Sequence, residues 1–293
     1  MKKIIIKITI FCIFLFANQA NAQFFELGGT FGGSNYQGDL TPSNELASFG
    51  QTRLAAGIFG RYNLNDYLGL RANLQYANIT ATDAISKDIS RQGRNLSFKS
   101  DIYEIALMGE WNILGYQPYN FQRTFTPYLF GGVAVFHFNP KAFYQNKWTA
   151  LQPLGTEGQG LPQFPDRKKY NLTQISIPLG GGLKYALSES WTLGVEIGVR
   201  KTFTDYLDDV SSTYIEDAVL RAGNGDLAAD LANRTGEYLK AEPTPFTTGT
   251  ARGNAKQKDW YIIGSVTISY NFLDNGLVGS RHRSGNNSGC PTF

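Results

Sequence analysis

From residue 52 to residue 272 the chain returns repeatedly to one pattern, with apolar residues at every second position and small or polar residues between them. Side chains of a strand point alternately to its two faces, so this period puts one face in an apolar environment and the other in a polar one. Leu54, Ala56, Ile58, Gly60, Tyr62 and Leu64 oppose Arg53, Ala55, Gly57, Phe59 and Arg61. The same alternation runs through Leu68 to Tyr76, Tyr103 to Ile113, Ile175 to Leu187, Trp191 to Val199 and Trp260 to Phe272. Residues 24–34 and 126–138 complete a set of eight, the second apolar on both faces and therefore of open phase. An even number of strands, each long enough to cross a bilayer at a tilt, predicts an all-β fold: an eight-stranded antiparallel transmembrane barrel.

The connections support this topology. Gaps near 35–51, 79–100, 139–172 and 204–258 are long, whereas those near 65–66 and 188–190 are short and that near 114–124 is intermediate. Outer-membrane barrels alternate long outer loops with short periplasmic turns, and an even strand count puts both termini on the short-turn side.

A soluble barrel of lipocalin type has the same alternation with its polar face in water. Such an exterior is crowded with Lys, Glu and Thr. Here the polar face mixes Gly and Ala with isolated charges, as a lumen with room only for side chains requires. It carries Arg53, Arg61, Arg71, Lys184 and Arg200 against Glu104, Glu110 and Glu196. Unpaired buried charge is costly, so these residues are expected to form an ion-paired plug with a cation beside each carboxylate. Trp191, Trp260, Tyr270 and Phe272, at strand ends, suit interfacial aromatic girdles.

Only 17% of the residues are charged and 14% are aromatic, a composition unlike that of a disordered chain. Lys2 and Lys3 precede an apolar run from Ile8 to Ala17, and Ala20-Asn21-Ala22 ends it, so residues 1–22 read as an export signal cleaved before Gln23. Three of the 27 basic residues lie in that leader, and the remainder balances the 24 acidic ones. A neutral mature chain has no electrostatic footprint for nucleic acid. Loss of Cys12 with the leader leaves Cys290 unpaired in an oxidising compartment.

The search for chemistry returns little. His137 and His282 fall on opposite sides of the membrane in this topology and cannot cooperate, and no Walker, GxGxxG or CxxC signature occurs. The expectation is a protein that is not an enzyme and carries no cofactor or metal. Asp205, Asp208 and Asp209 lack the glycine-punctuated spacing of a calcium loop and read as a solvated segment. The loop 204–258 is too long for a mere connection; Thr213 with Glu216 reads as a capping box opening a helix, and 226–234 reads as a second. This loop either folds over the barrel mouth or meets a partner. The tail 273–293, with Arg281, Arg283 and Cys290, is either an inert extension or a periplasmic contact.

Four runs resemble one family. They are Gly32-Gly33-Ser34-Asn35-Tyr36-Gln37-Gly38-Asp39-Leu40, Pro127-Tyr128-Leu129-Phe130-Gly131-Gly132-Val133, Ile177-Pro178-Leu179-Gly180-Gly181-Gly182-Leu183-Lys184-Tyr185, and 199–211 with its Thr204-Asp205-Tyr206-Leu207-Asp208-Asp209 core. They resemble the PorG-type outer-membrane barrels of Bacteroidota, over nearly the whole mature chain. The resemblance implies a part in type IX protein secretion, in some species also in gliding, beside a periplasmic ring formed by a lipoprotein and its partner protein. It brings no catalytic residues, and on this reading Cys290 forms an intermolecular disulfide with a ring subunit. The alternative is a general OmpA- or OmpX-like barrel whose outer loops bind host or envelope ligands.

Overall fold

The computed structural model describes residues 24–41, 49–118 and 121–272. The leader 1–22 and the tail with Arg281, Arg283 and Cys290 lie outside the described residues.

Each alternating segment forms a strand: β1 (Phe24–Gln37), β2 (Arg53–Asn63), β3 (Leu68–Thr82), β4 (Ser97–Asn112), β5 (Phe125–Tyr144), β7 (Thr173–Ala186), β8 (Trp191–Thr202) and β9 (Trp260–Phe272). Neighbours pair antiparallel around the ring, and the β1–β9 and β4–β5 ladders leave no gap between first and last strands. The eight-stranded closed barrel read from the sequence is thus the fold. A ninth strand, β6 (Lys147–Ala150), was not expected; it forms a hairpin with the overhanging end of β5 and stands outside the ring.

The outward positions form a continuous apolar band. Leu27, Ile58, Leu74, Ile105, Val133, Leu179, Ile197 and Val266, one from each barrel strand, are all about half exposed or more. A closed ring of this kind has no solvent that suits it except the hydrocarbon of a bilayer. Trp111, Tyr185, Trp191 and Tyr270 rim the band at the short-turn end, and Tyr103, Phe143, Trp148 and Phe203 at the long-loop end.

The phase left open for residues 126–138 is now fixed. Tyr128, Phe130, Ala134, Phe136 and Phe138 are buried inside, while Leu129, Val133 and Val135 face out. The strand is apolar on both faces because part of the lumen is itself apolar. Gly180 and Gly182 of β7 lie opposite Phe130 and Tyr128, and a Cβ at either would strike those rings. The triple glycine is therefore a seat for two aromatic side chains.

The loop 204–258 contains three short helices, α2 (Asp217–Asn224), α3 (Asp226–Ala232) and α4 (Thr235–Leu239); a further helix, α1 (Ile89–Arg94), lies in the loop between β3 and β4. The expected capping box fails. Glu216 is the N-cap of α2 and makes no side-chain cap bond, while the Thr213 hydroxyl accepts from Arg167 Nη2 at 2.6 Å.

Candidate functional site

The lumen is filled in three storeys. In the half nearer the short turns, Arg61 of β2 stands directly opposite Arg71 of β3. Two like charges facing each other inside a barrel repel, and the sequence answers with Glu110 from β4. Its Oε2 forms an ion pair with Arg61 Nε at 2.8 Å and its Oε1 with Arg71 Nη1 at 3.1 Å, and Lys184 Nζ donates a hydrogen bond to Oε2. Glu26 accepts from Arg61 Nη1 and, at 2.8 Å each, from Asn63 Nδ2 and Ser269 Oγ. Glu196 accepts from Arg71 Nη1 at 2.7 Å and from the Tyr128 hydroxyl at 2.7 Å. Three cations thus face three carboxylates. The Arg71 guanidinium is flanked by the Phe59 and Phe130 rings, 5.3 and 5.1 Å from their centroids.

Above this cluster, Arg200 Nε stands 3.6 Å from Glu104 Oε1, whose other oxygen accepts from the Tyr261 hydroxyl at 2.6 Å. Seven of the eight expected lumen residues are buried inside the barrel, each carboxylate beside a cation. Arg53 is not among them. It is the first residue of β2, overhangs the long-loop rim, is exposed, and makes no ion pair among the described residues. Alternation assigns a residue to a face but does not say how deep along the barrel it sits. Glu26 was missed from the expected network, although it occupies an alternating position between Phe25 and Leu27.

The outer half of the lumen is apolar. Phe98, Ile102, Phe136, Phe138, Tyr261 and Ile263 line it, and Leu207 and Val210 descend into it from the loop after β8. The run Thr204 to Ser211 therefore dips into the barrel mouth, and this corrects the reading of its acids as solvated. Asp205 is 2% exposed, Asp208 1% and Asp209 0%.

These acids have distinct partners. Asp209 accepts from the Thr156 and Tyr170 hydroxyls at 2.5 and 2.6 Å. Asp208 accepts from the Val210 amide at 2.9 Å, and Asp259, just before β9, from the Leu207 amide at 2.9 Å. Neither oxygen of Asp205 has a well-formed hydrogen-bond partner. Burial pushes the carboxyl of Asp205 up to about 7 and that of Asp209 up to about 6. It also holds Asp208 and Asp259 well above the ordinary carboxylate range, with the charge of Asp208 adding to the effect on Asp259.

The third storey ties the loops together over the mouth. Glu157 accepts from the Ser211 amide at 2.9 Å, from the Ser212 amide at 3.0 Å and hydroxyl at 2.6 Å, and from Arg252 Nη1 at 3.0 Å. Arg94 grips Asp83 with two bonds, of 2.7 and 2.8 Å, and donates to the carbonyls of Arg252 and Asp39. All four long loops contribute to this lid. His137 faces outward from β5, where its Nδ1 lies 3.1 Å from Thr173 Oγ1. No group of three or more His, Cys, Asp or Glu among the described residues is placed to hold a metal ion.

In backbone the chain is similar to a major outer membrane protein from Thermus thermophilus, at 15% identity and a TM-score of 0.39 over 86% of this chain and 100% of that one. It is likewise similar to outer membrane protein W of E. coli, at 13% identity and a TM-score of 0.36 over 87% of this chain and 100% of that one. OprG from Pseudomonas aeruginosa gives 11% identity and a TM-score of 0.38 over 86% of this chain and 96% of that one. No curated protein matches the chain in sequence. Residues 2–231 match the family described as "Domain of unknown function (DUF6089)", and the chain belongs to that family.

Proposed function

We propose that this protein is a non-enzymatic outer-membrane barrel of the type IX protein secretion machinery, and of gliding where that machinery drives it. On this reading the barrel anchors or contacts a periplasmic ring lipoprotein and its partner protein. The observation that carries an anchoring role is the filled lumen: four ion-paired cations, an apolar cap and a lid of four loops leave the barrel nothing to conduct. The contact to the ring is assigned to the short turns and to the tail 273–293, with Arg281, Arg283 and Cys290. The export leader and the apolar band together support location in the outer membrane with both termini in the periplasm.

An epitope-tagged copy, gently solubilised and captured from outer membranes, is expected to bring down the ring lipoprotein and its partner. Deletion of 273–293 is expected to lower secretion while barrel insertion stays normal. A deletion that secretes at the parental rate removes the proposal.

A second reading, ligand binding by the outer loops, is favoured by one observation. A groove between α1 and α4 exposes Ile89, Tyr238 and Leu239 on the outer surface, where burial would be expected of such side chains. Substituting these three with serine separates the readings, because only the loop reading predicts a phenotype.

A further inference from the structure

The charge on the lipid-facing surface is distributed unevenly. Along the outward positions of the eight barrel strands, the charged residues are Lys99, Asp101, Lys141 and Lys201, all toward the long-loop ends. The short-turn half presents none, only aromatic and aliphatic side chains among the described residues.

Lys99 of β4 and Lys141 of β5 are direct cross-strand partners. Two like charges opposite each other on one face destabilise a sheet unless an anion lies between them. The protein offers little compensation. Asp101 Oδ1 already accepts from the Tyr76 hydroxyl at 2.8 Å and Asn78 Nδ2 at 2.7 Å, and its Oδ2 stands 3.9 Å from Lys141 Nζ. Lys99 makes no ion pair among the described residues and leans over the Trp148 ring, 5.4 Å from its centroid. Trp148 itself packs on Phe143, with centroids 5.4 Å apart, so the β5–β6 hairpin widens this face beyond the ring.

The depth is informative. Trp111 and Leu129 are paired at the short-turn end of the same two strands, twelve residues from Lys99 and Lys141 respectively. At a rise of about 3.3 Å per residue and a tilt of about 40°, the lysines stand roughly 30 Å further along the barrel axis. The apolar band of such barrels is about 25 Å tall, so the pair lies just past its edge, at the level of lipid headgroups.

We propose that Lys99 and Lys141, with Trp148 beside them, form a binding site for the phosphate headgroup of a lipid in the outer leaflet. The lysines supply the counter-charge that the register leaves unmatched. Trp148 and Phe143 flank the lysines on the side away from the bilayer centre, and the exposed Tyr103, Ile105 and Val135 of the same two strands line the path of the acyl chains below. The site goes beyond the secretion reading and does not depend on it.

The test is native mass spectrometry of the full-length, detergent-solubilised protein with bis-phosphorylated lipid A, with its dephosphorylated form as the reference. The parental protein is expected to retain the phosphorylated lipid and to lose the reference lipid. Two lysines at a charged lipid surface set the expected loss in the Lys99→Gln/Lys141→Gln variant at about thirtyfold. The Lys99→Arg/Lys141→Arg variant is expected to retain the lipid, and both must show the heat-modifiable gel migration of a folded barrel. Equal retention by the glutamine variant overturns the site. So does equal retention of the dephosphorylated lipid, and so does displacement by millimolar inorganic phosphate, which would mark an anion site indifferent to lipid.

Discussion

The Tyr36 hydroxyl lies 2.7 Å from Asp208 Oδ2 and 2.9 Å from Asp259 Oδ1. A phenol has one proton to donate, so it satisfies one of these oxygens, and the other contact is a hydrogen bond only if that carboxyl is itself protonated. Burial raises both carboxyls well above the ordinary range, which favours a protonated carboxyl at this contact.

A pH dependence of the cap follows, and its sign is fixed. Carboxyls whose folded pKa is raised bind more protons folded than unfolded, so stability falls as pH rises. The contribution is complete below about pH 4, the ordinary carboxylate range, and is lost as pH rises through about 6 for Asp209 and about 7 for Asp205. Amide exchange over residues 204–211, corrected for its intrinsic rate, is expected to be faster at pH 8 than at pH 5. A rate independent of pH would contradict a protonated carboxyl in the cap.

Asp205 has little hydrogen bonding to lose: neither oxygen has a well-formed partner, and burial outweighs the lowering effects of the Ser211 side chain and Lys258. Replacing it by Asn removes a charge that the cap does not neutralise, so Asp205→Asn is expected to slow that exchange about tenfold at pH 8 and to leave it unchanged at pH 5. Faster exchange at pH 8 would show that an unseen partner holds the carboxylate.

Glu110 is the pivot between Arg61, Arg71 and Lys184. The substitution Glu110→Gln leaves three buried cations facing two carboxylates, and its expected cost is about 3–5 kcal/mol in urea unfolding from lipid vesicles. Adding Lys184→Met restores the balance and is expected to recover part of the loss. A double variant no better than the single one would argue for a purely geometric role.

Gly182→Ala brings a Cβ against the Tyr128 ring and the Val195 carbonyl. Because the carbonyl belongs to the neighbouring strand and cannot swing away, a loss of about 1–3 kcal/mol is expected. The temperature of the gel-mobility transition reports it, and an unshifted midpoint would mean that the barrel wall yields more easily than its packing suggests.

The filled lumen also makes a prediction for planar bilayers. The purified protein is expected to give no stable conductance steps under applied voltage. Regular unitary steps would show that the Glu110 cluster opens.

Much of the fold was legible because a strand between lipid and lumen meets two environments at every step, and Leu54 to Leu64 record that directly. The phase of β5 was not, since Phe136 and Phe138 face an apolar stretch of lumen and erase the contrast. The ionic residues could be assigned to a face, but Arg53 shows that a face says nothing of depth. Asp205, Asp208 and Asp209 were misread for a related reason: acids in a loop normally meet water, and only tertiary contacts from β1, β9 and the Glu157 loop reveal that this one turns inward. The Thr213 capping signal was outcompeted by Arg167, a residue 46 positions away.

The cap draws Tyr36 from β1, Phe98 from β4, Phe138 from β5 and Tyr261 from β9, and the loop bearing Leu207 joins the last two strands of the chain. No subset of consecutive strands can assemble that surface. The cap is thus complete only where β9 is paired with β1, since Tyr36 and Tyr261 reach it from the two sides of that seam. A barrel open at the seam would leave Leu207 and Val210 short of part of their cover, so this patch reports on whether the cylinder is whole.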